Sequence, residues 1–179
     1  MHCDIKPENI MIDHNGCVKL IDFGIALPAG IIADGLLVGS PHYVAPERVT
    51  GGVLTPAVDI YAFGIVLFQA VTGMLPFRGP DAASIARQHV EDRVPLMSDI
   101  LVSVPLSLER VVSRATVPAP MARYADGRAL CEALMNAQSD LLGIPLLAPT
   151  QHESSICSAT DFWAQGTAPV LTIGASVAA

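Results

Sequence analysis

The strongest constraint on the fold is a predicted β-hairpin near the start of the sequence, with polar side chains before and after it. Residues 10–12 and 17–20 are predicted to form two short strands. The Asn-Gly pair at 15–16 is a strong hairpin signal because both residue types tolerate positive φ. The hairpin therefore fixes the distance between Asn9, which precedes it, and Asp22, which follows it.

The polar side chains around this hairpin are those that phosphoryl transfer requires. That reaction needs a carboxylate to orient the attacking hydroxyl, oxygen ligands for magnesium and a cation beside the moving phosphate. The groups present are Asp4, Lys6, Asn9 and Asp22. We therefore predict that Asp4, Lys6 and Asn9 are catalytic, and that Asn9 and Asp22 are magnesium ligands.

The order of these residues resembles that of protein kinases. The sequence His2-Cys3-Asp4 followed by Asn9 is similar to their H-R-D…N motif, and Asp22-Phe23-Gly24 matches D-F-G. Residues 39–47 resemble a second signature, G-T-P-x-Y-x-A-P-E, with Ser40 in place of threonine. Small-molecule phosphotransferases share the first pattern but lack A-P-E. The sequence is thus similar to the C-terminal lobe of eukaryotic-type (Hanks-type) serine/threonine kinases of bacteria.

This resemblance implies a mainly α-helical lobe with a short β-hairpin over residues 1–138. It implies ATP and Mg²⁺ as cofactors, with manganese as an alternative metal, and a protein substrate with a Ser or Thr acceptor. Met11, Lys6 and Asp22 are expected to contact the nucleotide, with Met11 beneath adenine; a plain core methionine is the alternative. The β-branched Ile25 after D-F-G favours threonine as acceptor.

Three further residues have expected structural roles within the lobe. Asp59 begins an apolar central helix predicted to run to Val71, and it should bond the backbone of the catalytic loop, residues 2–9. The alternative is an ordinary first-turn helix acid. Arg123 is expected to pair with Glu47 of A-P-E, which stabilises the lobe if the pair is buried and does little if it is exposed.

The remaining expected roles concern regulation and the neighbouring lobe. His2 and Phe23 correspond to the lower half of an apolar column that links the two lobes of the family. Cys3 replaces the arginine that helps bind a phosphate on the activation segment, residues 25–44, so we expect no activation by phosphorylation there. Ser40 stands where the family's hydroxyl bonds the catalytic Asp and Lys.

The amino-acid composition limits the possible binding partners of the protein and its possible cellular compartments. Hydrophobic residues make up 51% and charged residues 15% of the sequence, which excludes a wholly disordered chain. A net charge of −7 argues against a nucleic-acid partner. The four cysteines show no C-x-x-C spacing, which favours reduced thiols and a cytoplasmic location. The most apolar segment, residues 60–71, is shorter than the roughly 20 residues of a membrane span.

Helical patterns and caps predict the rest of the chain. Asp81 should cap a helix ending near residue 91, Ser107 a helix over 108–116, and Asp126 a helix ending near residue 137. His89, on the first of these helices, is predicted to be a surface or packing histidine. Residues 139–179 lose all periodicity and are predicted to be a mostly disordered tail or linker.

The resemblance begins in the middle of a kinase domain. The 179 residues contain no glycine-rich loop, so the N-terminal lobe is expected to be absent from them. We expect that the sequence is the back part of a kinase gene, with a valine codon read as the start, and that the chain alone is inactive. The alternative function is a non-catalytic docking or pseudokinase module, and a small-molecule phosphotransferase is less favoured.

Overall fold

The computed structural model describes residues 1–33 and 39–142 of the chain. This part is mainly α-helical with one two-stranded antiparallel sheet, as predicted. Over these residues the strands are β1 (Ile10–Ile12) and β2 (Val18–Leu20), and the helices are α1 (Pro46–Val49), α2 (Ala57–Thr72), α3 (Ala82–Glu91), α4 (Leu106–Ala115) and α5 (Gly127–Leu142). No helix among them is both long and apolar enough to span a membrane.

Strands β1 and β2 form the predicted hairpin, with Ile10 opposite Leu20. Of the Asn-Gly pair, it is Gly16 that adopts positive φ, at 78°. The Asp13 carboxylate accepts hydrogen bonds from the backbone amides of Asn15 and Cys17, both at 2.9 Å. The turn is therefore held by a side chain as well as by the glycine, which fixes the position of the polar residues on either side.

Helix α2 is the centre of the core, because it contributes to each of the three hydrophobic clusters in the described residues. Each fully buried aliphatic or aromatic side chain of these clusters stabilises the fold by about 1.5–3 kcal/mol. The α2 members are Val58, Tyr61, Ala62 and Ile65 in the first cluster, Ile60 in the second and Phe68 in the third. The second cluster packs α2 against α4 and α5, so α2 supports both the loops before it and the helices after it.

Gly64 lies where α2 approaches the C-terminal end of α4 closely. A β-carbon at this position would lie 2.7 Å from Cγ2 of Thr116 and 3.0 Å from Cβ of Ala115. Even an alanine would therefore push the two helices apart. The glycine is needed here for space and not for backbone freedom.

Most of the predicted helix ends are confirmed. Helix α2 ends at Gly73, whose φ of 71° places it in the left-handed conformation that commonly terminates helices. Asp81 caps α3 in a reciprocal capping box with Ser84. Asp126 accepts a 2.8 Å hydrogen bond from the amide of Ala129 at the start of α5. Each of these ends was evident from local sequence alone.

Two predicted boundaries are wrong. Helix α4 begins at Leu106 after Pro105, so Ser107 does not cap it but lies inside it, with its hydroxyl 3.5 Å from the carbonyl of Ala137. Helix α5 continues to Leu142 instead of ending near residue 137, so the first four residues of the predicted tail are helical. The rest of that tail lies outside the described residues.

Candidate active site

Two hydrogen bonds attach the catalytic loop to the first turn of α2. The backbone amide of His2 donates to Oδ2 of Asp59 at 2.7 Å, and that of Cys3 donates to Oδ1 at 2.8 Å. This confirms the predicted contact between Asp59 and the loop backbone. Asp59 also lies in the first turn of α2. It is therefore a first-turn helix acid as well as the residue that binds the loop backbone.

Cys3 has a backbone conformation that non-glycine residues seldom adopt. Its φ is 66°, in the left-handed region, which costs about 1–3 kcal/mol unless the surroundings impose it. The bond from Cys3 to Asp59 fixes its amide, and the guanidinium of Arg48 donates to its carbonyl. Burial raises the pKa of the Cys3 thiol, and the nearby Asp59 charge acts in the same direction. The thiol is therefore a poor nucleophile at neutral pH.

Asp4 sits among donors supplied by its own loop. Its Oδ2 accepts from Nζ of Lys6 at 2.7 Å and from Nδ2 of Asn9 at 3.0 Å. Burial by itself raises the pKa of Asp4, but the hydrogen bond and charge of Lys6, with smaller help from Ser40 and Asn9, outweigh it and lower the pKa. Asp4 is thus a carboxylate at neutral pH, with a cation held against it.

Asn9 is oriented so that its oxygen is left for a ligand. The side-chain nitrogen Nδ2 donates both to the carbonyl of Asp4, at 2.8 Å, and to the Asp4 carboxylate. Among the described residues no hydrogen bond uses its Oδ1. Because amide oxygens are ligands that Mg²⁺ accepts, this orientation suits a metal site.

Asp22 lies at the open end of the hairpin, on the same side as Asn9. The amide of Ile21 donates to the carbonyl of Asn9 at 2.9 Å, which keeps the two ends together. Asp22 has a φ of 61°, is exposed, and accepts from the amide of Gly24 at 3.2 Å through Oδ1. A β-carbon on Gly24 would lie 3.1 Å from that same oxygen. Asn9 and Asp22 therefore fit the oxygen ligand pair that magnesium would need.

His2 connects the catalytic loop to the residues after β2. Its Nδ1 accepts from the amide of Asp4 at 3.3 Å, and its Nε2 donates to the carbonyl of Ile21 at 2.9 Å. The ring centroid lies 4.6 Å from that of Phe23, a residue that is 61% exposed. The structure thus brings His2 and Phe23 together, while their part in a column between two lobes stays a prediction.

Residues 39–47, which we call the closing segment, lie against Asp4. The backbone amide of Ser40 is 3.4 Å from Oδ1 of Asp4, and this contact uses the amide, not the hydroxyl that the sequence suggested. Gly39 has a φ of 104°, and a β-carbon there would be 3.1 Å from the same Oδ1. A molecule that reaches Asp4 must therefore pass beside the closing segment.

The predicted pair of Arg123 and Glu47 is present and buried. Nη1 and Nη2 of Arg123 donate to the two carboxylate oxygens of Glu47 at 2.7 and 2.8 Å. Glu47 is 7% exposed and Arg123 only 2%. The pair anchors the end of the closing segment to the turn that precedes α5.

Met11 lies in β1 opposite Lys19 and is partly buried, so the structure leaves its predicted contact with adenine untested.

Sequence reasoning missed other contacts of the site. Arg48, which bonds the carbonyl of Cys3, directly follows A-P-E. The hydroxyl of Tyr43 donates to Oε1 of Gln69 at 2.6 Å. Gln69 is the one strongly polar side chain in the later turns of α2, which was the available signal.

Comparison with known proteins agrees with this geometry. Residues 1–138 match the family model described as the protein kinase domain. Serine/threonine-protein kinase PrkC of Bacillus subtilis is 45% identical over 127 residues, 69% of this chain and 20% of that protein. PknL of Mycobacterium tuberculosis is 36% identical over 175 residues, 93% of this chain and 44% of that protein. Probable serine/threonine-protein kinase PknB of Lactococcus lactis is 39% identical over 129 residues, which are 70% of this chain and 21% of that protein. The chain spans less than half the length of each of these relatives.

Proposed function

The chain belongs to the serine/threonine protein kinase family, and we propose from this premise that residues 1–138 form the C-terminal lobe of the kinase domain. The proposed activity is ATP-dependent transfer of a phosphoryl group to Ser or Thr hydroxyls of a protein. The observation that carries this proposal is the Asp4 carboxylate, held by Lys6 and Asn9 on one oxygen and facing the closing segment with the other.

Asp4 would act on the acceptor hydroxyl through Oδ1. Its Oδ2 already accepts two short hydrogen bonds, whereas Oδ1 accepts one long bond from the amide of Ser40. The acceptor hydroxyl donates to Oδ1, which aims an oxygen lone pair at phosphorus. As the new oxygen–phosphorus bond forms and the bond from that phosphorus to the oxygen of the leaving ADP breaks, the hydroxyl proton would pass to Asp4. The lowered pKa of Asp4 keeps that oxygen unprotonated before the reaction.

Asn9 and Asp22 would hold magnesium, and Lys6 would balance negative charge. Magnesium-bound ATP supplies the phosphoryl group when it is present. Oδ1 of Asn9 is the oxygen left after both amide hydrogens are used, and the exposed Asp22 follows the hairpin next to Ile21, whose amide donates to the carbonyl of Asn9. Nζ of Lys6 lies 2.7 Å from Oδ2 of Asp4. Its positive charge would therefore also stabilise the negative charge of a phosphoryl group that is transferred next to Asp4.

We propose that threonine is the preferred acceptor. Ile25 lies against Gly39, with its Cδ1 3.3 Å from where a glycine β-carbon would stand, so it borders the approach to Asp4. The test compares Thr and Ser versions of one peptide with the wild-type kinase and with Ile25→Phe. A kinase that favours Ser, and whose preference does not respond to Ile25→Phe, would contradict the proposal.

The 179-residue chain by itself is proposed to be inactive, because it holds the metal ligands and Asp4 without a glycine-rich loop over the phosphates. We expect no transfer from labelled ATP to casein or myelin basic protein above background. Transfer that disappears in Asp4→Asn would show that this part of the proposal is wrong.

The function itself is tested with the protein from the complete reading frame. We expect transfer of labelled phosphate from ATP to a threonine peptide, and a loss of about 10²–10⁴-fold in Asp4→Asn. The control is His14→Ala, an exposed change in the hairpin turn, which should leave the rate nearly unaltered. Equal rates for the wild type and Asp4→Asn would rule out the proposed role of Asp4.

A further inference from the structure

His89 is a fully buried polar residue that the proposed chemistry does not use. It lies in α3 with 0% of its surface exposed. Its Nδ1 is 2.8 Å from the hydroxyl oxygen of Tyr61 in α2. Its ring also meets that of Phe77 edge-on, with centroids 4.7 Å apart. A buried imidazole of this kind needs partners for both nitrogens, and Tyr61 supplies one.

The second nitrogen of His89 is buried on the helix that packs against the closing segment. Nε2 is buried and makes no hydrogen bond of standard geometry to any described residue. Burial lowers the pKa of His89 to about 4, the backbone of His42 and of Pro41 opposes this shift, and the charge of His42 reinforces it. Helix α3, which carries His89, packs onto the turn at 41–43. The imidazole is neutral at pH 7, so it carries one proton.

The position of that proton depends on which of Tyr61 and His89 donates in the hydrogen bond between them. Burial raises the pKa of the Tyr61 phenol, which therefore keeps its hydrogen. Of the two buried groups, the hydroxyl can donate to Nδ1, which leaves the ring proton on Nε2. An Nε2–H group can then donate to a carbonyl oxygen of the turn at 41–43, onto which α3 packs, and this bond would give the second nitrogen a partner.

We propose that His89, as the neutral tautomer protonated at Nε2, ties the closing segment to the central helix and so positions the surface beside Asp4 that an acceptor peptide contacts. It is a positioning residue that acts through residues 41–43, and its effect on catalysis rests on the proposed kinase function. The same turn is held from α2 at a second point, by the bond between Tyr43 and Gln69. If the His89 bridge is lost, the bond between Tyr43 and Gln69 is the contact that still holds the turn to α2.

The tautomer is tested on the 179-residue chain by nitrogen NMR of the five histidine rings. The resonances that vanish in His89→Gln identify His89. We expect a protonated Nε2 and an unprotonated Nδ1 at pH 7, with Nδ1 shifted in Tyr61→Phe. A ring protonated at Nδ1, or a Tyr61→Phe variant that leaves both His89 resonances unmoved, would overturn the proposal.

Hydrogen exchange of the amides at residues 42–45 tests the bridge itself. We expect exchange to be about tenfold faster in Tyr61→Phe and in His89→Gln than in the wild type. The control is Val112→Ala, which opens the core between α2 and α4 without touching the closing segment. Equal acceleration in the control and the two bridge variants would mean that the residues matter for global stability alone, and would overturn the proposal.

Kinetics of the complete kinase separate this inference from the proposed function. In Tyr61→Phe we expect KM for the acceptor peptide to rise about fivefold with kcat within about twofold, because the change removes binding and leaves Asp4 in place. Val112→Ala should alter neither constant. A complete protein without any kinase activity would refute the proposed function, and the tautomer and exchange measurements would still decide for or against the bridge.

Discussion

Arg123 meets the carboxylate of Glu47 with two parallel hydrogen bonds, although the two residues are 76 positions apart in the chain. The other three N–H groups of the same guanidinium donate to the backbone carbonyls of Val117, Ala57 and Pro118. All five donors of Arg123 are therefore used. A fully satisfied buried arginine joins the closing segment, α2 and the turn before α5 at one point.

Glu47→Gln should strongly destabilise the fold. The change removes the negative charge and turns an amide donor toward the Arg123 donors, so a buried cation loses its counter-charge. We expect a loss of about 3–5 kcal/mol in the free energy of unfolding. Urea denaturation of the 179-residue chain, followed by circular dichroism, measures it.

The matched control for Glu47→Gln is a variant that removes an ion pair near the surface. Nζ of Lys19 lies 3.9 Å from Oδ2 of Asp13 in the hairpin, and both side chains are partly exposed. Lys19→Met keeps the aliphatic stem, so it should cost about 1 kcal/mol or less. Losses of equal size in the two variants would contradict a special role for the buried pair.

The pKa of His89 predicts how stability depends on pH. It lies at about 4 in the folded chain, below the ordinary value of 6.5. Between these values the unfolded chain binds a proton that the folded chain excludes. The stability contributed by neutral His89 is thus complete above pH 6.5 and is lost as the pH falls toward 4. The loss by pH 4.5 is roughly 2–3 kcal/mol.

Denaturation of the wild type and of His89→Gln at pH 7.5 and at pH 4.5 checks this dependence. Carboxylates such as Asp4 contribute equally to both proteins, so the difference between them isolates His89. The variant should be less stable than the wild type at pH 7.5, and this deficit should shrink by roughly 2–3 kcal/mol at pH 4.5. A deficit that stays constant across the two conditions would show that His89 titrates normally.

A negative charge at Ser40 should inhibit the complete kinase. The Ser40 amide lies 3.4 Å from Oδ1 of Asp4, so a carboxylate or phosphate on this side chain competes for Lys6 and repels Asp4. We expect kcat/KM to fall at least about tenfold in Ser40→Asp. Ser40→Thr, which restores the residue of the family signature, should stay close to the wild type. An Asp variant as active as the Thr variant would exclude this effect.

Phosphatase treatment should leave the activity of the complete kinase nearly unaltered. Cys3 offers no charge to a phosphate on the activation segment, since its thiol is buried and its pKa is raised. The hydroxyls of residues 25–44 are confined to Ser40 and Tyr43. The comparison uses treated and untreated enzyme with mass spectrometry of the segment. A large fall in activity, traced to a phosphate within residues 25–44, would contradict this prediction.

The features that the sequence predicted correctly depend on short-range patterns or on family motifs. The hairpin, the α2 span and the caps at Asp81 and Asp126 follow from residues within a few positions of each other. The pair of Arg123 and Glu47 is a long-range contact, and it was predictable because a known motif contains each partner.

The features that were missed depend on tertiary structure. Ser107 is a better N-cap by residue type than Pro105, yet α4 starts at Leu106, and Ser107 lies in its first turn with its hydroxyl 3.5 Å from the carbonyl of Ala137 in α5. Ser139 has modest helix propensity, but α5 packs along α4, and it continues through Ser139 to Leu142. The contact between His89 and Tyr61 joins two helices and no local pattern signals it.

The anchoring of the catalytic loop to Asp59 has a consequence for the order of folding. The left-handed backbone of Cys3 is unfavourable alone, and the carboxylate that holds it lies 56 residues later in the chain. Closing a loop of that length carries an entropy cost that only a docked α2 repays. On the ribosome the catalytic loop therefore emerges before its anchor exists. The residues of the candidate active site are then among the last to become native, so a chain that ends before Asp59 carries Asp4 without its anchor.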